Sequence, residues 1–119
     1  MNIQVGNTVT DAANRGWFIG HFIEEKYGLR SNKDVEMRWA VHQADEKRQE
    51  WVTGETRTTV CILISGRIEF DFKSNGEESH VVLLKQGDFV MWGPGDEHIW
   101  QTPMETTTLA VRWPSIDTH

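Results

Sequence analysis

The stretch GDFVMWGPGDEHIWQ, residues 87–101, decides how this chain folds. Gly87-Asp88 opens a turn, FVMW follows as a short apolar run, and Gly93-Pro94-Gly95-Asp96 turns the chain again before HIWQ. Gly87 and Gly95 reach backbone angles closed to other residues, and Pro94 fixes one dihedral in advance, so the chain reverses twice in quick succession. The strand that emerges carries His98 and Trp100 two positions apart, hence on one face. If that face looks into an enclosed space, an imidazole and an indole line it together.

Outward from this segment the apolar periodicity is that of strands. Residues 35–43, VEMRWAVHQ, alternate Val35, Met37, Trp39 and Val41 with Glu36, Arg38, Ala40 and His42, and a period of two sends the sets to opposite faces of a sheet. TTVCILI, residues 58–64, is rich in β-branched types and ends at Ser65-Gly66. RIEFDF alternates Ile68, Phe70 and Phe72 with polar residues, and Asn75-Gly76 after it is a hairpin signal. HVVLLK and TTTLAVRW complete the set. WFIGHFIE near the start reads as a strand, and helix is confined to a turn or two around residues 24–30 or 44–50. Short strands with regular turn signals predict an all-β sandwich or barrel, closed or rolled double so that few edges lie open.

Composition narrows the function classes. A chain of 119 residues makes one domain, 1–119. The net charge is −6 and no run of Lys or Arg forms a basic stripe, which disfavours nucleic acid and anionic membranes as partners. The N-terminal segment has no basic stretch followed by an apolar run, so no secretory signal is expected, and no apolar stretch is long enough to span a bilayer. The single cysteine, Cys61, can build neither an internal disulfide nor a thiolate zinc site, and a cytoplasmic location is expected. There is no Gly-x-Ser-x-Gly elbow and no glycine-rich phosphate loop. Six tryptophans suit pocket walls, core and interfaces.

GDFVMWGPGDEH resembles the second signature of the cupins, through Gly87, Pro94, Gly95 and His98, with one extra residue before Pro94 and with Pro and Gly adjacent. ILISGRIEFDF resembles the end of the first cupin signature, with Gly66 in the tight turn. The likeness covers roughly residues 35–113 and implies a cupin-like double-stranded β-helix, a jelly-roll barrel. In metal-binding cupins the first signature supplies two histidines and a glutamate, and the second a further histidine. Counting back from Gly66, those first-signature positions fall on Thr53, Glu55 and Thr59, where only Glu55 carries a ligating side chain. The resemblance therefore implies a degenerate metal site. Were a divalent metal bound, its ligands would be His98, Glu55 and His42.

The resemblance makes His98 the leading pocket residue: a hydrogen-bonding partner for a carboxylate or hydroxyl, or an acid or base with a pKa near neutrality. The bland alternative is a core histidine bonded to a carbonyl. Trp100 either stacks on a ligand or packs in the core. Arg38 and His42 share a strand face, so both line the pocket or both face solvent. Glu55 reads as a solvated charge or a pocket carboxylate. Arg112, between Val111 and Trp113, is exposed or an anion clamp, because a buried guanidinium needs a carboxylate or an anionic ligand. Trp92 and Trp113 go to core or interface; His21, His80 and His119 are structural or exposed. The expected function is a binding or sensing module for a small polar molecule. The rivals are a cupin enzyme, metal-dependent or a metal-free isomerase or epimerase using His98, and a structural protein with a filled barrel. The resemblance also implies a homodimer.

Overall fold

The computed structural model describes residues 1–53 and 55–116, so His119 lies outside the described residues. The strands are β1 (Trp17–Ile19), β2 (Glu36–His42), β3 (Glu46–Lys47), β4 (Thr58–Ser65), β5 (Ile68–Ser74), β6 (Glu77–Leu83), β7 (Phe89–Trp92), β8 (Glu97–Thr102) and β9 (Thr106–Trp113). They form two antiparallel sheets, one in the order β1-β2-β9-β4-β7 and one in the order β3-β8-β5-β6. Most sheet neighbours are distant in sequence, as in the crossovers of a jelly roll.

The turns of residues 87–101 do what their sequence requires. Gly87 and Gly95 have φ of 91° and 86°, a region that residues with a Cβ seldom enter. Asp88 Oδ2 accepts hydrogen bonds from the backbone N–H of Leu84 and Lys85 at 3.1 and 2.9 Å, and Asp96 Oδ2 accepts from Gly93 at 3.0 Å. The first turn delivers β7 to the edge of the five-stranded sheet; the second carries the chain across to β8 in the other sheet. Asn75 and Gly76, both with positive φ, join β5 to β6 as the hairpin signal predicts.

Of the two positions offered for helix, residues 44–50 form none; β3 lies there, paired with β8 through Glu46↔Thr102 and Lys47↔Gln101. Only the first three residues of WFIGHFIE are strand, because the chain turns at Gly20, whose carbonyl accepts from Ile23 N–H. A 3₁₀ segment at Glu25–Arg30 occupies the other helical position expected, and a second lies at Asn14–Gly16. Among the described residues no helix is long and apolar enough to cross a membrane.

The space between the sheets is filled unevenly. Cys61, Leu63, Ile68, Phe70, Leu83 and Trp92, all from β4 to β7, form the apolar core. A fully buried side chain of Leu or Phe size contributes about 1.5–3 kcal/mol, so this half holds the barrel together. Towards β2 and β9 the interior turns polar. In β2, Glu36, Ala40 and His42 are buried while Val41 is exposed, so the polar set faces inward and the apolar set faces out. That settles the open question about Arg38 and His42.

The reversal leaves the outer face of the five-stranded sheet apolar. Val111 sits opposite both Met37 and Val60, and Val60 opposite Met91, making one uncharged row across β2, β9, β4 and β7. Trp39, Leu109, Ile62 and Phe89 make a second row beside it. Phe89, Met91, Val41 and Trp113 are exposed, so Trp113 belongs to this surface and not to the core.

Candidate functional site

A cavity of about 100 Å³ lies between the sheets in the polar half, and Arg38, His42, Glu55, His98, Trp100 and Arg112 all line it. The inward faces of β2 and β9 supply Arg38, His42 and Arg112. His98 and Trp100 come from β8, opposite Phe72 and Phe70 of β5, and Glu55 comes from the segment leading into β4. Two ring pairs close the walls: Trp92 and His98 with centroids 4.6 Å apart, and His42 and Trp100 at 4.4 Å. A wider groove of about 680 Å³, bounded by residues 8–16 and by β2 and β3, shares Arg38, His42 and Trp100 with the cavity as a common wall.

Glu36 organises the charges. It is fully buried and accepts hydrogen bonds from Arg57 Nη1 at 2.5 Å and from Ser115 Oγ at 2.9 Å, while Arg112 Nη2 pairs with the same carboxylate. A buried carboxylate held by two guanidiniums and a hydroxyl is compensated; stripped of either arginine it would not be. Arg112 also lies over the Trp17 ring at 4.2 Å and faces Glu55 at 3.8 Å. It is thus a carboxylate-paired guanidinium and not an exposed charge. Glu55 has a side chain only 19% exposed and faces Arg57 and Arg112, which corrects its reading as a solvated charge.

Burial shifts His42, Cys61 and His98 away from their ordinary values. Burial, with Arg48 and Arg112 nearby, pushes His98 down to about 4, so the ring is neutral at pH 7. This corrects the expectation of a pKa near neutrality. Burial and then Arg38 lower His42, with Glu46 opposing. Burial raises the Cys61 thiol to about 11, leaving it protonated and unreactive.

No protein-family model matches the chain, and no curated protein matches it in sequence. Solved structures do match in shape. A cupin superfamily protein from Desulfitobacterium hafniense aligns with a TM-score of 0.60 and 14% identity, over 72% of this chain and 71% of that one. This is a cupin fold. The Drosophila melanogaster CENP-C cupin domain aligns at 0.55 with 17% identity, over 66% and 59%. Bacillus subtilis oxalate decarboxylase aligns at 0.66 with 13% identity, over 81% of this chain and 25% of that one. The chain thus spans less than two thirds of the CENP-C domain and a quarter of oxalate decarboxylase, and neighbours with this fold include an enzyme and a domain not named as one.

The cupin barrel does not assemble the conditional ligand set His98, Glu55 and His42. Among the described residues no three His, Cys, Asp or Glu side chains come together as a metal site. Glu55 is turned to two guanidiniums and His42 to Glu46 at 3.6 Å, and a cation placed beside Arg112 and Arg57 would meet like charge. The donor set does not fit a divalent metal.

Some residues escaped the sequence reading. Glu36 and Arg57 do not line the cavity, yet Glu36 pairs with Arg112, and Arg57 shares that carboxylate. The signal for Glu36 was present, since it leads the same inward polar face as Arg38 and His42. Trp92, read as core or interface, serves both core and cavity wall. His21 bonds Ser115 at 2.8 Å and His80 pairs with Asp71 on the surface, both structural as expected.

Proposed function

We propose that this cupin barrel binds a small polar molecule in the cavity between its sheets, acting as a binding or sensing module. One observation carries the reading. Among the described residues five buried side-chain nitrogens lack a hydrogen-bond partner, and three of them, His98 Nδ1, Trp92 Nε1 and Arg112 Nε, belong to residues of the cavity wall, the others being Arg57 Nε and Arg67 Nε. An unsatisfied buried polar group costs about 1–3 kcal/mol, so three around one space call for an occupant that pairs with them. The space, at about 100 Å³, holds the equivalent of roughly three waters or a compact ligand head.

The test fills the space. Ala110 lies on the cavity wall between Arg38 and Cys61 in the sheet register. Ala110→Leu should abolish stabilisation by every small molecule that raises the melting temperature of the native chain, while the fold keeps its circular dichroism. Undiminished ligand-induced stabilisation in this variant would place the binding site elsewhere.

We also propose that a second copy of the chain covers the outer face of the five-stranded sheet. Val41, Phe89, Met91 and Trp113 are the exposed members of this face, and large apolar side chains gathered on one sheet face suit an interaction site. A flat face of apolar rows is complementary to itself and suits a two-fold pairing of aligned sheets.

A further inference from the structure

Resting on the reading of the cavity as a small-molecule pocket, we infer that the ligand is an oxyanion, its head in the cavity against Arg38 and its body in the adjoining groove. Two independent inventories point there. The first is of donors. Trp92 Nε1 and Arg112 Nε can only donate, and His98 Nδ1 can donate in one of its tautomers. A ligand that satisfies such a wall presents acceptor oxygens.

The second is of charge. Glu36 and Glu55 compensate Arg57 and Arg112, but Arg38 ion-pairs with no carboxylate among the described residues. Its Nε donates to the Arg15 carbonyl at 2.6 Å, which fixes the guanidinium in place without neutralising it. Arg38 also belongs to the groove, whose wall carries Arg15, Lys47 and Arg48 as well, against Glu46 alone. None of these three ion-pairs with a carboxylate among the described residues either. Four cations therefore gather in one concavity of a chain whose net charge is −6. This corrects the sequence reading of no basic cluster: the cations come from three separate segments and only the fold unites them. A concave surface of one sign steers and concentrates ligands of the other.

Carboxylate and phosphate oxygens share this chemistry, so the test uses both. The probes are glycolate, inorganic phosphate and the neutral isostere glycolamide, added to the ¹⁵N-tryptophan-labelled protein at constant ionic strength. The readout is the indole N–H signals of Trp92 and Trp100, assigned by Trp→Phe substitution. Glycolate or phosphate should shift both signals with an affinity at least tenfold above that of glycolamide, as expected for charge-assisted hydrogen bonds; whichever binds more tightly names the head group. Arg38→Gln should weaken the anion about tenfold or more and leave glycolamide within about twofold. Arg38→Lys, which keeps the charge but loses the fork, should fall between. Equal binding of glycolate and glycolamide, or an Arg38→Gln protein that binds the anion like the parent, overturns the oxyanion and leaves the pocket standing. If no anion moves either signal while neutral polyols do, the oxyanion again fails alone. If neither class does, the pocket reading falls with it.

Discussion

Lowering the pH from 7 towards 4 forces the cavity to accept a proton on His98 or the chain to unfold. The ring titrates at 6.5 when free and at about 4 in the fold, because burial and the neighbouring Arg48 and Arg112 disfavour the imidazolium. The unfolded chain therefore binds more protons than the native one between these values, and stability falls as pH drops through that window. Above pH 6.5 both states hold His98 neutral and the effect vanishes. At about 1.36 kcal/mol per unit the full cost is about 3.4 kcal/mol; water reaching the partly exposed ring brings it to about 2 kcal/mol. The comparison that isolates His98 is urea unfolding of the parent and His98→Asn at pH 7 and at pH 4.5. His42, lowered for the same first reason, and the carboxylates affect both proteins and cancel in the difference. The variant should gain about 2 kcal/mol on the parent as the pH is lowered. A difference that does not change with pH would mean that His98 is not held neutral by burial, and the description of the cavity wall would be wrong.

Further outcomes follow from other parts of the molecule. Glu36→Gln removes the charge that two guanidiniums share; it should cost about 2–4 kcal/mol by urea unfolding, somewhat below a fully buried pair because both arginines are partly exposed. Phe89→Glu with Met91→Lys, both side chains outward on β7, should convert a dimer to a monomer by light scattering while leaving the melting temperature within a few degrees; a parent already monomeric at high concentration would remove the proposed partner. Cys61, raised from 9.0 to about 11, should react with thiol reagents at least about a hundredfold more slowly in the native chain than in urea. Fast native labelling would show that the apolar half opens.

The architecture was readable because its determinants are local. Each turn in residues 87–101 needs only glycine, proline and an aspartate that caps its own loop, and those are visible one residue at a time. The alternation of β2 was equally plain, but its direction was not. Met37, Trp39 and Val41 look like core residues by composition, and only the register against β9 and β1 shows that Arg38 and His42 take the interior. The same holds for the charges. Arg112 was recognised as exposed or clamped, but its clamp, Glu36, lies 76 positions away and becomes a partner only when β2 and β9 pair. β3 was missed because two residues of strand carry no period of their own; β8 imposes it.

The central claim is that the polar half of the barrel holds a small molecule against its unpartnered donors. The most direct measurement is the Trp92 indole N–H signal during titration of the native chain with a panel of small acids, amides and polyols. At least one class should give a saturable downfield shift, absent in Ala110→Leu. A Trp92 signal that stays fixed across the whole panel, in a protein whose remaining spectrum is well dispersed, would contradict it.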